Sequence, residues 1–576
     1  MRSRFLSVLS IALLFFIISS APALADTVYT FKGYGYGHGI GLCQWGAKGR
    51  ALKGQSYIDI LSHYYQGTKV TNYANIPSTI KVRLFGSSNL SKAYVEGYGS
   101  SPLSFIKTDG TYAIQGAVGK WSIAASSANT LKVIKPDGTV AADDLPAPIF
   151  IVNDAGKDTV VYNASGSRYH AYTGSIYVYP ASSNTVYLVN RVNFEPDYIN
   201  GLAEMPSSWP YDALYAQAVA ARSYALANMK PQATFDLYDS VASQVYIGVD
   251  KINETSNGTN WGARWAKAVA DTKGQVITYN GQVISAYYFS SCGGHTENIE
   301  LAWPKSSPQP YLKGVDDIDS SGVPYCKDAN NTNFSWVFEI TKENLESKLG
   351  IKGIASIKIA KAGVSGRASE LQITKLDGTS VSMTGQDFRS KLGLKSTWLY
   401  QMGGTYPDVD MGFWAFPQIE ELTRRYIIAG YPDGTFKPQN QVTRAEFSKM
   451  LCLSQGFPAG SSNSFTDVGT HWASPYISAL SSRSIIKGYP DGTFRPDAKI
   501  SRAEMCSIIT RAIGLTRGSA SFSFSDIASH WAKDDIEIAA SNGIVSGYDD
   551  GTFRPEAKGT RAEVSAMIYR MLAFMQ

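Results

Sequence analysis

Apolar positions along this chain change rhythm twice. Between residues 76 and 192 they form short alternating runs, among them Ile80-Lys81-Val82-Arg83-Leu84, Lys132-Val133-Ile134 and Ser175-Ile176-Tyr177-Val178-Tyr179. Asp109-Gly110 and Asp137-Gly138 supply turns between them, which predicts a β-rich platform. From Asp212 to Met229 there is neither Gly nor Pro, and Leu214, Ala218, Ala221 and Ala225 recur at helical spacing. This predicts a helix whose small residues let neighbours approach closely. Pro210 suits its start, with Ser207 or Ser208 as the cap. Shorter helices are expected over 56–65, 261–272, 345–349 and 386–392, and strands over 354–359 and 370–375. Asn280-Gly281 separates alternating runs at 275–279 and 282–289 and predicts a hairpin.

The third rhythm is a repeat. Gly430-Tyr431-Pro432-Asp433-Gly434-Thr435-Phe436 recurs at 488 and 547, spacings of 58 and 59 residues, with Asp549 in place of Pro in the last copy. Thr443-Arg444-Ala445-Glu446 recurs as Ser501-Arg502-Ala503-Glu504 and Thr560-Arg561-Ala562-Glu563, and Trp414, Trp472 and Trp531 keep step. A fixed period of this kind marks one unit made three times. Ser or Thr followed by Glu three residues on predicts a capping box at each second helix.

Charged residues make up 18% of the chain and the formal net charge is +5, too mild to argue for a nucleic-acid partner. Arg2 and Arg4, the apolar run from Phe5 to Ile18 and Ala23-Leu24-Ala25 read as a signal peptide over residues 1–25, with the mature chain outside the cytoplasm and no later stretch fit to span a membrane. The five cysteines, Cys43, Cys292, Cys326, Cys452 and Cys506, match no zinc spacing. Export permits disulfides, and Cys292 with Cys326 is the candidate pair. Cys452 and Cys506 read as buried small hydrophobes. No metal and no cofactor is expected.

The candidate chemistry sits at residues 200–229. Glu204 lies in a turn-prone stretch before the Ala-rich helix, close in sequence to Trp209. Such a setting raises a carboxyl pKa towards the range of a general acid, although a lone Glu before a helix is more often a solvated carboxylate. Glu204-Met205-Pro206, followed by Ala216-Gln217-Ala218-Val219-Ala220-Ala221-Arg222-Ser223-Tyr224-Ala225, resembles the SpoIID/LytB family of cell-wall proteins. That family includes lytic transglycosylases of peptidoglycan and enhancers of an amidase. The resemblance implies that Glu204 is the catalytic acid/base, with Gln217, Arg222 and Tyr224 as substrate-binding residues; as polar groups on an otherwise apolar helix, Gln217 and Arg222 are also expected to be tied into a network.

Phe31 to Ala51 contains Gly-His-Gly-Ile-Gly-Leu-Cys-Gln and resembles a Gly-His-Gly element of the same family, where it ends the domain instead of opening it. Residues 388–398 resemble the segment that normally precedes it. A circular permutation accounts for both, and predicts that residues near Phe31 and Tyr400 are neighbours. His38 and Gln44 then either line a glycan groove or stabilise the loop. Family members that bind zinc carry cysteines ahead of Gln244-Val245-Tyr246. Tyr238 and Ser243 stand there in this chain, so that metal is not expected. Gln244 and Tyr246 match sugar-contacting positions by resemblance. Ser290, Ser291, His295 and Glu297, from a segment that also matches, are further groove candidates, with Glu297 the one rival carboxylate.

The threefold repeat resembles S-layer homology (SLH) repeats. The resemblance implies a pseudo-threefold helical bundle in which Arg444, Arg502 and Arg561, with Trp414, Trp472 and Trp531, hold a secondary cell-wall polymer, which in that family often carries a pyruvylated sugar; a guanidinium matches such a carboxylate bidentately. The expected architecture is α+β: a SpoIID-like domain over 26–403, with the Gly-His-Gly loop first, a β-rich part over 76–192 and the Glu-Met-Pro region over 193–403. An all-α-type SLH bundle follows over 404–462, 463–521 and 522–576. The expected function is a secreted, wall-anchored, S-layer-associated lytic transglycosylase of peptidoglycan glycan strands. The alternative is a non-catalytic enhancer of an N-acetylmuramoyl-L-alanine amidase.

Overall fold

The computed structural model describes residues 28–575 apart from Pro231, Ala329, Pro407, Gly412, Asn463, Ser464, Ala520 and Ser521. The expected signal segment lies outside the described residues.

The alternating runs become two sheets. One orders Val140–Pro146, Thr130–Ile134, Trp121–Ala125, Ala93–Gly97, Thr159–Tyr162 and Arg168–Tyr172. The other orders Leu237–Tyr238, Thr79–Arg83, Val186–Asn193, Ser175–Pro180, Ile149–Asn153, Leu103–Ile106 and Tyr112–Ala117. Period-2 patterning turns Val95, Ile123 and Val133 of the first, and Val82, Leu188 and Val178 of the second, into one apolar core.

That core runs on into the Ala-rich helix, Tyr211–Asn228. Ala216, Ala218, Ala220, Ala221 and Ala225 are fully buried. Their small size lets helices Gln44–Leu52, Tyr57–Tyr64 and Gly262–Asp271, and strand Gln275–Tyr279, all pack against it. Pro210 occupies the N-cap position and no side chain caps the helix. The cap expected from Ser207 or Ser208 is therefore not formed; a turn intervenes, and Ser207 instead donates to Glu254 at 2.7 Å.

The Asn280-Gly281 hairpin is shorter than its pattern. Only Gln282–Val283 pairs back onto Gln275–Tyr279. The chain then leaves, and Tyr288–Phe289 runs parallel to Leu42–Cys43 of the Gly-rich loop. Gly41, at φ +73°, permits the approach: a Cβ there would lie 2.2 Å from the Tyr287 carbonyl oxygen.

The first described strand, Val28–Tyr34, pairs with Ser335–Thr341 on one side and with Leu399–Gln401 on the other. Gly33 faces Leu399, and Tyr34 stacks on Tyr400 at 4.6 Å. The neighbourhood expected of residues near Phe31 and Tyr400 is thus present. The helices over 342–349 and 385–392 and the three-stranded sheet of Ile354–Ala362, Ala368–Lys375 and Ser380–Thr384 complete this part.

The C-terminal third is helical. Each repeat pairs a short helix (Phe416–Arg424, Ser474–Ser481, Lys533–Ser541) with a second one (Arg444–Ser454, Arg502–Ala512, Arg561–Phe574). All three second helices open with the expected capping box. Bridges Thr443–Lys499, Ser501–Lys558 and Gln441–Thr560 close the repeats into a ring. Phe436, Phe494 and Phe553 are fully buried in its centre. Tyr29 stacks on Phe416 at 5.3 Å, so the first strand and the bundle share one core.

Candidate functional site

Glu204 sits between the isolated pairing of Leu202 with Tyr246 and the start of the central helix. Its carboxyl is held by one oxygen. The Val245 N–H donates to Oε1 at 2.7 Å, and the Tyr288 hydroxyl donates to the same atom at 3.1 Å. Among the described residues Oε2 has no hydrogen-bond partner, and it is not fully buried, so it is the oxygen left open to solvent.

The direction of these bonds is fixed from behind. The Gln244 amide nitrogen donates to the Ala221 carbonyl at 3.2 Å and to the Tyr288 oxygen at 2.8 Å. Its amide oxygen accepts from the Tyr198 hydroxyl at 2.8 Å. A backbone carbonyl can only accept, which settles the amide orientation. The Tyr288 oxygen already accepts a hydrogen bond from the Gln244 amide, so its own hydroxyl proton points to Glu204.

Burial pushes the Glu204 pKa from the usual carboxylate range up to about 7, against the lowering pull of the Val245 and Tyr288 donors. With Oε1 accepting two bonds, the acidic proton belongs on Oε2. The site is a carboxyl poised near neutrality with one oxygen anchored and the other presented.

Gln44 opens helix Gln44–Leu52, and its amide nitrogen donates to the Glu204 carbonyl at 3.0 Å and to Gln217 Oε1 at 3.2 Å. Gln217 is fully buried and its amide nitrogen has no partner. Tyr224 lies behind Tyr288 at 6.2 Å between ring centroids. Burial pushes its hydroxyl up to about 12, the neighbouring Tyr287 and Glu204 adding to the shift. His38 is one shell out. Its Nδ1 accepts from the Ile40 N–H at 3.0 Å, so Nε2 carries the proton and donates to the Tyr288 carbonyl at 3.1 Å. Burial and the Arg389 charge lower its pKa to about 3. His38 and Gln44 thus brace the loop and the residues that hold Glu204.

Other sequence candidates lie elsewhere. Arg222 is fully buried on the far side of the helix, paired with Glu195 and donating to the Gln275 carbonyl at 3.0 Å. Its guanidinium faces protein, not a groove, and is matched there by a carboxylate and two backbone carbonyls. Tyr246 spends its hydroxyl on Asn190 at 2.8 Å. Ser291 is fully buried against Asn331, and Ser290 faces Asn333. His295 reaches Asp316 at 3.6 Å. Glu297 is buried and accepts from the Asn298, Val364 and Ser365 N–H groups and the Ser365 hydroxyl, which removes it as a rival acid. Glu195 is committed to Arg222, and Glu254 to Lys251 and Ser207.

Tyr288 and the Val245 N–H were not anticipated. Tyr288 shares its strand alternation with Ser290, but only the parallel pairing to Leu42–Cys43 shows which ring it brings to Glu204. A second unanticipated feature is the Trp45–Trp209 pair, at 4.8 Å between rings, with the Lys48 ammonium 4.4 Å from the Trp45 ring. Trp45 adjoins Gln44, so this aromatic surface borders the site.

The cysteine expectation needs correction. All five cysteines are free. Cys292 and Cys326 meet at 3.3 Å, outside disulfide bonding distance, and they are not an isolated pair: Cys43 and Asp317 join them, and the four ligand atoms lie within 4.8 Å of one another. Among the described residues this is the one group with metal-binding geometry. The position implied by the family pattern does not suit a metal: the Ser243 hydroxyl oxygen accepts from the Tyr238 N–H at 3.1 Å.

In the helical bundle the three Trp side chains are exposed, Trp531 at 65%. Arg444, Arg502 and Arg561 are buried and bond across repeat boundaries, to the carbonyls of Phe494, Phe553 and Phe436 at 2.8, 3.0 and 2.8 Å. Arg444 and Arg502 also pair with Glu504 and Glu563. Each guanidinium therefore joins its own repeat to the next. Two of them also line cavities. One of about 220 Å³ takes Arg444, Tyr489, Arg511 and Trp531 from all three repeats. One of about 160 Å³ takes Arg502, Tyr548, Arg570 and Trp414.

A family model described as "Stage II sporulation protein" (SpoIID) matches residues 182–279, and the S-layer homology domain matches residues 405–448, 464–506 and 523–565. The chain is 31% identical over 211 residues, 35% of its length, to 58% of Stage II sporulation protein D of Bacillus subtilis. It is 38% identical over 164 residues, 26% of its length, to 7% of Cell surface glycoprotein 1 of Acetivibrio thermocellus. It is 32% identical over 164 residues, 28% of its length, to 30% of a protein of Bacillus anthracis named as an uncharacterized cell wall amidase. The chain thus spans less than two thirds of each of these relatives, from 7% to 58%. Among the described residues no helix is long and apolar enough to cross a membrane.

Proposed function

We propose that this chain, which carries a SpoIID domain and three SLH repeats, is a cell-surface lytic transglycosylase with Glu204 as its single acid/base. The repeats make it a cell-wall-associated protein, in keeping with the cell-surface relative that matches them. The observation that carries the catalytic reading is the asymmetric binding of Glu204: Oε1 anchored by two donors, Oε2 open, and a pKa near 7.

A protonated Oε2 donates to the glycosidic oxygen between N-acetylmuramic acid and N-acetylglucosamine as that bond breaks. The carboxylate left behind is stabilised at Oε1 by the same two donors, the Val245 N–H and the Tyr288 hydroxyl. It then takes the proton of the muramic 6-hydroxyl, whose oxygen closes on the anomeric carbon to give a 1,6-anhydro ring. Hydrolytic glycosidases generally need a second carboxylate to activate water or to hold the sugar. Here Glu195, Glu254 and Glu297 are all committed to protein partners, which suits a reaction needing only one.

The wall polymer is the proposed ligand of the bundle cavities, where Arg444 and Arg502 with Trp531 and Trp414 combine cationic and aromatic surface. The test is incubation with purified glycan strands, with and without stem peptides, and mass analysis of the products. Anhydro-ended fragments that vanish in Glu204→Gln support the reading. A protein that binds walls, cuts neither strand type and stimulates an amidase equally well as Glu204→Gln is the enhancer.

A further inference from the structure

We propose that Cys43, Cys292, Cys326 and Asp317 bind one structural zinc ion that ties the Gly-rich loop to the strand carrying Tyr288. The four ligand atoms come from three distant segments of the chain and lie within 4.8 Å of one another, all in buried residues. Zinc takes thiolate at about 2.3 Å and carboxylate at about 2.0 Å in a tetrahedron, which sets ligand atoms about 3.5–3.8 Å apart. Three sulfurs and one oxygen are a soft donor set, suited to zinc and unsuited to magnesium or calcium. Four protein donors leave no open position, so the ion is structural.

The surroundings are built for sulfur with negative charge. The Gly46 and Cys292 N–H groups donate to Cys43 Sγ at 3.2 and 3.1 Å, and the Gly294 N–H to Cys292 Sγ at 3.3 Å. Gly46 has no room for a side chain: a Cβ would lie 2.1 Å from Asp317 Oδ2 and from the Tyr64 hydroxyl. Two buried guanidinium groups flank the cluster. Arg50 donates to Asp317 Oδ1 at 2.9 Å, leaving Oδ2 to the sulfurs. Among the described residues the Arg367 guanidinium, 2% exposed, donates to the Cys292 and His295 carbonyls, its Nε has no partner, and it makes no direct ion pair, feeling the Glu297 carboxylate only at longer range. A buried cation without a counter-ion is costly. Three thiolates, one carboxylate and Zn²⁺ sum to two negative charges, which Arg50 and Arg367 balance.

The position gives the ion a task. Cys43 caps the helix that Gln44 begins, and Gln44 holds the Glu204 carbonyl. Cys292 follows Tyr288 by four residues, and Tyr288 holds the Glu204 carboxyl. The zinc pins both supports at once, whatever reaction Glu204 performs. This cluster is separate from the Tyr238–Ser243 segment, where the family pattern places a metal.

The test needs no activity assay. The full exported chain is purified without added metal, and its metal content, thiol count and cysteine peptide map are measured together. About one zinc per chain is expected, with Cys43, Cys292 and Cys326 unreactive until a mercurial releases the ion. Cobalt exchanged into the site is expected to give the visible absorption of tetrahedral thiolate coordination. Cys43→Ser and Asp317→Ala should lower zinc retention at least tenfold, with Cys506→Ser unchanged. A metal-free protein lighter by two hydrogens, with Cys292 and Cys326 linked, overturns the proposal. So does a metal-free protein with all thiols reduced. These wild-type measurements decide even where a variant fails to fold.

Discussion

Replacing Glu204 by Gln should make the protein more stable at pH 8 and leave its stability unchanged at pH 4. The reason lies in the proton that the folded site retains. Glu204 keeps its proton up to about pH 7 in the folded chain, against an ordinary value of 4.5 when unfolded. Between those values the folded state binds a proton that the unfolded state has released, so stability falls as pH rises through this window. The gap of roughly two and a half pH units, at about 1.36 kcal/mol each, bounds the loss at about 3 kcal/mol. Oε2 keeps solvent contact, which screens the charge, and about 1–2 kcal/mol is the expected loss. Gln fits the same space, and its carbonyl oxygen can still accept from the Val245 N–H and the Tyr288 hydroxyl. Thermal or urea unfolding of the two proteins from pH 4 to 8 reads the difference. The helical repeats, whose core is shared with the first strand but is distinct from the core around Glu204, give an internal reference that should not move. A difference independent of pH, or a wild type that gains on the variant as pH rises, would refute the reasoning.

Tyr288→Phe removes a donor that favours the carboxylate, so the Glu204 pKa should rise further. The alkaline limb of the glycan-cleavage profile should then move to higher pH, at a cost in stability of about 1 kcal/mol for the lost hydrogen bond. Arg222→Met leaves Glu195 uncompensated and frees the Gln275 carbonyl. It should destabilise the unit that contains Glu204 by about 3–5 kcal/mol, read in the same unfolding experiment. In the bundle, Trp531→Ala should change stability by less than about 0.5 kcal/mol yet weaken co-sedimentation with isolated walls about tenfold, as expected for loss of one stacking ring. Arg502→Ala should lower both, because that side chain also joins repeats.

Local chemistry made much of the fold legible. The Ser/Thr-x-x-Glu boxes of the repeats, the Gly/Pro-free Ala run and the Asp-Gly turns all act within a few residues, and each formed the element its pattern predicts. Glu204 stood out through the resemblance of Glu204-Met205-Pro206 and the following Ala-rich run to a family, since a lone carboxylate before a helix is by itself ordinary. Its partners did not, because Tyr288 and the Val245 N–H reach it through tertiary contacts. Arg222 and Glu297 matched a family pattern, yet pattern alone cannot tell a guanidinium or carboxylate that meets substrate from one that holds the scaffold together. The cysteines failed for a related reason. Cys43 is 249 residues from Cys292, and no spacing rule spans a parallel pairing of that range.

Cleavage of purified glycan strands in heavy-oxygen water tests the central claim most directly. Ring closure by the muramic 6-hydroxyl uses no water, so every new muramic end should be an anhydro-sugar, the new N-acetylglucosamine end should keep the glycosidic oxygen, neither should carry heavy oxygen, and none should form with Glu204→Gln. One heavy oxygen at each new reducing end would make the protein a hydrolase, and would contradict a single acid/base at Glu204.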